Sequence, residues 1–93
     1  MNNNFIKFLV ELFGTFIFLS VIIITGNPLA IGLTLAAVIW FGGAVSGGHF
    51  NPAVNFLMLL NKKINTLDFI SQTIAQFIGA ALAFYYYSLT KKK

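Results

Sequence analysis

Ser46-Gly47-Gly48-His49-Phe50-Asn51-Pro52-Ala53-Val54-Asn55 interrupts a chain made otherwise of long runs of Leu, Ile, Val, Phe and Ala. It holds two adjacent glycines, the chain's one histidine and an Asn-Pro pair. In a bilayer every backbone N–H and C=O must be satisfied internally. Irregular backbone at membrane depth is therefore tolerated only where protein buries it or where it lines a watery cavity. If the chain is a membrane protein, this stretch is its working part and the flanking helices hold it in place.

Composition meets that condition. Of 93 residues, 58% are hydrophobic and 9% are charged, with 11 Phe and a mean hydropathy of +0.86. A soluble domain carries roughly 25% charged residues, so this chain lacks the side chains to cover a globular surface. The net charge of +4 comes from lysines near the ends of apolar runs, a loop-and-tail pattern and not a nucleic-acid interface. No cysteine is present, which excludes disulfides and thiol chemistry.

Downstream of the opening stretch, the apolar run from Val54 stops at Asn61-Lys62-Lys63. Counted over residues 51–60, it makes about 15 Å of helix, half of a bilayer core of about 30 Å. It is too short to span and too apolar for an exposed loop. The pattern predicts a re-entrant half-helix with Asn51 as its N-cap and Pro52 as its first residue. Beyond it, Asn65-Thr66-Leu67-Asp68 marks a helix start, with Thr66 or Asp68 as cap, and residues 69–89 form an uncharged span. Ala75, Gly79 and Ala83 give this span a small-residue face, beside which Gln76 lies inside the membrane and requires a partner. Tyr85-Tyr86-Tyr87 and the closing lysines mark the far interface.

Upstream, residues 29–45 form an uncharged span with Gly32 and Ala36 four apart, suited to close helix contact. Gly26-Asn27-Pro28 is a tight turn, and residues 5–25 form the first span. Lys7 can snorkel to the interface, but Glu11 lies about a turn deeper. Glu11 either faces the bundle interior or marks an interfacial helix start near the positive end of the helix dipole. A signal peptide cleaved near Gly26 is the other reading of this segment, disfavoured by the length of the run and by the acidic residue within it. The expected fold is thus an all-α membrane protein, with three transmembrane helices and one re-entrant half-helix in a single unit over residues 1–93.

Three spans place the termini on opposite sides. Lys7, Lys62 and Lys63 fall on one side and Lys91, Lys92 and Lys93 on the other, so the lysines assign no orientation. Either something other than the lysines fixes the orientation, or the chain inserts both ways up. With one histidine, no cysteine and two carboxylates, neither a metal site nor a catalytic constellation is expected. No cofactor is expected either, and the His49 ring is expected to hold the loop.

The residues from Ser46 to Val54 resemble the first Asn-Pro-Ala signature of the aquaporin and glycerol-facilitator (major intrinsic protein) family. Glu11-Leu12-Phe13-Gly14-Thr15-Phe16 resembles that family's first-helix pattern, and Ile74-Ala75-Gln76-Phe77-Ile78-Gly79-Ala80 its third-helix pattern. The resemblance covers the N-terminal repeat only, in a family built from inverted repeats. It implies that Asn51 donates its amide to the passing solute, that Pro52 and Ala53 start a half-helix packed tip to tip against a second, and that Gly47, Gly48 and His49 present backbone carbonyls to the pore. Glu11 and Gln76 would be buried supports of that loop. Ile31 would fall at the narrow filter, where water-selective members carry a bulky aromatic. Val54 stands where the second repeat's signature is followed by the filter arginine. The resemblance implies an integral multi-pass channel subunit for water or small neutral solutes such as glycerol. Its partners would be the lipid bilayer and a second half, either an inverted copy of this chain or a separate chain, with no nucleic acid. The competing expectation is a non-conducting truncated fragment that associates with or perturbs full-length relatives.

Overall fold

The computed structural model describes residues 3–91. Met1, Asn2, Lys92 and Lys93 lie outside the described residues, so two of the three C-terminal lysines of the charge balance are not placed. The order of elements is α1 (Asn3–Thr25), α2 (Pro28–Ser46), α3 (Pro52–Leu60) and α4 (Thr66–Thr90). All but α3 are long and apolar enough to cross a membrane. The long axis of the molecule, 44 Å, matches the roughly 40–45 Å of a bilayer with its headgroups. The long helices begin one to three residues before the apolar runs that predict them, and α2 and α4 end one residue beyond theirs while α1 ends with its run at Thr25.

Local chemistry sets the ends. Gly26 (φ +57) stops α1, and the Asn27 side chain caps α2 by accepting from the Ala30 N–H at 3.0 Å, with Pro28 in the first position. Asn51 and Pro52 repeat that arrangement at α3, where the Asn51 side chain accepts from the Ala53 N–H at 2.7 Å. At α4 the sequence expectation is corrected: the cap is Asn65, accepting from the Asp68 N–H at 2.7 Å. Thr66 and Asp68 already lie inside the helix, and Asn65 alone keeps the extended backbone that a cap requires.

α1 is the hub, with α4 packed against it most extensively, α2 next, and α3 packed on α4. The α1–α4 contact uses the small-residue face of α4. Ala75, Gly79 and Ala83 are buried, and a Cβ on Gly79 would stand 2.7 Å from the Leu12 carbonyl oxygen. The α1–α2 contact does not use the strip expected of it. Gly32 faces open space and Ala36 is exposed. α2 instead meets α1 one end further on, at Gly42, where a Cβ would come 2.7 Å from Val10 Cγ1. The reason is Phe50, whose ring sits against Gly14 of α1 and Gly42 of α2 and draws the two helices together at the end where the loop begins.

Candidate functional site

The segment from Ser46 to Asn51 leaves α2 and doubles back along it. Gly47 (φ +95) and Gly48 (φ +66) both take the left-handed conformation that a side chain disfavours. A Cβ on Gly48 would press on the backbone of Gly43 at 3.2 Å and of Ile39 at 3.4 Å, so the loop lies directly against the helix it has left. Phe50 takes φ +53 without being glycine. It is held there by a ring 2% exposed and by its N–H, which donates to Glu11 Oε1 at 2.7 Å.

Glu11 organises the whole segment. It is fully buried, and both of its oxygens accept. Oε2 takes the Ser46 hydroxyl at 2.6 Å and the His49 N–H at 3.1 Å, while Oε1 takes the Phe50 N–H and the Gln76 Nε2 at 2.8 Å. The interfacial alternative for Glu11 is thereby set aside: a buried polar group needs partners, and this one has four. Gln76 also reaches Asn55. Its Nε2 lies 3.1 Å from Asn55 Oδ1, and its Oε1 accepts from Asn55 Nδ2 at 2.8 Å. Asn55 Nδ2 donates to Thr73 Oγ1 as well, at 3.1 Å, and its Oδ1 lies 2.8 Å from His49 Nδ1. One polar network thus joins α1, the loop, α3 and α4.

At the end of this scaffold Asn51 is exposed, with Oδ1 committed to capping α3 and Nδ2, without a partner among the described residues, as a donor group at the positive end of that helix. No hydrogen bond to the carbonyls of Gly47, Gly48 or His49 occurs among the described residues. Beside Asn51 lies an open recess of about 260 Å³ lined by Thr15, Phe18, Leu19, Phe50, Pro52 and Phe77, among others. Thr15 lines the recess, but its hydroxyl is enclosed within the chain and has no partner among the described residues.

The major intrinsic protein family matches residues 22–93. The chain belongs to that family. Glycerol uptake facilitator protein-like 6 of Lactiplantibacillus plantarum is 48% identical over 87 residues, which cover 83% of this chain and 40% of that protein. Aquaporin Z of Photorhabdus laumondii is 35% identical over 92 residues, again 83% of this chain and 40% of that protein. The lens fiber major intrinsic protein of Ovis aries is 43% identical over 63 residues, 67% of this chain and 24% of that protein. The chain therefore spans less than half the length of these relatives. No solved structure matches it. As a major intrinsic protein with three membrane-length apolar helices, it is an integral multi-pass membrane protein.

Of the residues singled out by sequence, Glu11, Gln76, Gly47, Gly48, His49, Asn51, Pro52 and Ala53 lie in or around the loop and its network. Ile31 stands apart, half-buried in the first turn of α2 and about 24 Å of helix from Gly47. It does not line the recess at Asn51. Sequence reasoning assigned no role to Ser46, Phe50, Asn55, Thr15 or Gln72. Asn55 and Gln72 did carry a signal. Each lies one helical turn from an assigned polar residue, Asn51 and Gln76, within an apolar run.

Proposed function

We propose that this chain is one half of a channel for water or small neutral solutes such as glycerol, with Asn51 as the donor at the constriction. The observation that carries the proposal is the Glu11 carboxylate, which accepts three hydrogen bonds from a loop whose product is an exposed Asn51 at the tip of a half-helix and a fourth from Gln76 on α4. A solute oxygen held by Asn51 Nδ2 would have the Gly47, Gly48 and His49 carbonyls as acceptors on its approach. The positive end of α3 repels cations and helps to break the hydrogen-bonded chain that protons need. Glu11 and Gln76 act as supports behind the loop, Pro52 and Ala53 as the start of the half-helix, and Ile31 as a wall of the outer filter. The residues from 1 to 93 form a single unit in this reading.

That unit does not enclose a path by itself. The half-helix tip, with the exposed Asn51 side chain, borders an open recess. In hydrocarbon, such groups need a cover. We infer that a second half supplies it, either an inverted copy of this chain, which the balanced lysines permit, or a separate chain carrying the complementary repeat. The names of the relatives, a glycerol uptake facilitator and an aquaporin, support the solute class. The proposal is tested by osmotic swelling of vesicles containing this chain alone. Permeability to water or glycerol above that of empty vesicles is expected if copies pair, with tags at either terminus found on both sides of the membrane. Permeability equal to that of empty vesicles, unchanged when relatives' second halves are added, would favour the non-conducting fragment.

A further inference from the structure

The half-helix α3 is fastened to its surroundings by one polar residue. Asn55 is the only buried residue of that helix and is fully enclosed, while Phe56, Leu57 and Leu60 beside it are exposed. An apolar helix that turns its asparagine inward does so for what the amide can bond. Asn55 meets His49 of the loop on one side and Thr73 and Gln76 of α4 on the other.

Those partners leave the amide one orientation. Glu11 Oε1 accepts from the Phe50 N–H, and a carboxylate oxygen can only accept. The Gln76 atom 2.8 Å from it is therefore the amide nitrogen. Gln76 Oε1 is then turned toward Asn55, so the Asn55 atom 2.8 Å from it is Nδ2. Reversing Asn55 would set oxygen against oxygen there, and nitrogen against nitrogen at its 3.1 Å contact with Gln76 Nε2. Thr73 accommodates either end, because a hydroxyl donates or accepts. Asn55 Oδ1 is thus the atom 2.8 Å from His49 Nδ1, and an acceptor at that distance requires a proton on Nδ1.

We propose that Asn55 is a positioning residue of the loop, which holds the ring proton of His49 on Nδ1 by relaying the polarity of the Glu11 carboxylate through Gln76. Glu11 grips the backbone N–H groups of His49 and Phe50 from α1. Asn55 grips the His49 side chain from α3 and ties it to α4. The residue two positions before Asn51 is thereby fixed from both sides. The bearing on permeation rests on the channel reading above, whereas the site of the ring proton does not.

Because His49 is the only histidine, a chain labelled with ¹³C,¹⁵N-histidine in lipid vesicles gives one ring that needs no assignment. Solid-state NMR in mildly alkaline buffer, where an ordinary imidazole is neutral, distinguishes the two nitrogens. The wild-type ring is expected to carry its proton on Nδ1, and a proton on Nε2 alone or a mixture of the two forms overturns the proposal. Asn55→Leu is expected to lose the single form, with amide protection of Ala75 and Gly79 retained as evidence that α1 and α4 still pack. A folded Asn55→Leu chain that keeps a pure Nδ1–H ring overturns the proposal. Thr73→Val is expected to leave the proton on Nδ1, since Gln76 alone sets the polarity; a mixture there refutes the relay. Osmotic permeability of the same vesicles separates the two readings. Loss in Asn55→Leu supports the positioning role, and wild-type permeability in that variant refutes it. A wild-type chain with an Nδ1–H ring and no permeability counts against the channel reading alone.

Discussion

Replacing Glu11 tests the scaffold behind the loop, and the hydrogen-bond geometry sets the size of the effect. In Glu11→Gln, the retained oxygen can stay with the Phe50 N–H and Gln76 Nε2. The new amide then faces Ser46 and His49. The Ser46 hydroxyl can turn toward the Gly42 carbonyl, already 3.4 Å away, and accept from the amide. The His49 N–H cannot turn and is left without an acceptor. One stranded buried donor is worth about 1–3 kcal/mol. In Glu11→Ala the His49 and Phe50 N–H groups are both stranded, whereas Gln76 Nε2 keeps Asn55 Oδ1. The loss doubles to about 2–6 kcal/mol, before any cavity is counted. Hydrogen exchange of the His49 and Phe50 amides in lipid nanodiscs reads this directly. Glu11→Gln should lower protection about 5- to 150-fold, the equivalent of 1–3 kcal/mol, with Glu11→Ala lower still. The α1–α4 contact around Ala75 and Gly79 should keep its protection. Wild-type protection of both amides in Glu11→Ala would refute the assignment of Glu11 as the support of the loop.

Phe50 fills the notch between Gly14 and Gly42, so Phe50→Ala should destabilise the chain by about 3–5 kcal/mol in a steric-trapping measurement. Phe50→Gly should be no worse than Phe50→Ala, because glycine adopts φ +53 without strain; a larger loss in the glycine variant would contradict the strained-anchor reading. Lys7→Ala should change stability by less than about 1 kcal/mol by the same measurement, since the pair with Asp68 is long, at 3.7 Å, and partly exposed.

Much of the architecture was legible because hydrophobic run length and punctuation are local. Gly26-Asn27-Pro28 and Asn51-Pro52 announce their helices by chemistry that acts within a few residues. The cap of α4 was misplaced by one to three positions because Asn65, Thr66 and Asp68 are all competent caps and only backbone geometry chooses among them. Packing partners were less legible. Gly32-Ala36 and Ala75-Gly79-Ala83 look alike in sequence, yet only the second meets another helix among the described residues. The contact of α2 is decided by Phe50, a residue distant from both strips whose positive φ nothing in the sequence announces. Glu11 and Gln76 stood out as polar residues within apolar spans. Their bond at 2.8 Å joins positions 65 apart and became visible only in three dimensions. Gln72 and Thr15 escaped notice because a buried polar atom without a partner is a property of its surroundings, not of its residue type.

The central claim is that Asn51 borders the path of a permeating solute, and the absence of cysteine makes a direct test possible. Asn51→Cys chains are reconstituted in vesicles, with a second-half partner where one is needed for conduction, and osmotic water and glycerol permeability is recorded before and after a small water-soluble thiol reagent. The account predicts a permeability that falls to the level of empty vesicles on modification and returns on reduction. Permeability unchanged while mass spectrometry shows Cys at position 51 fully modified would contradict it.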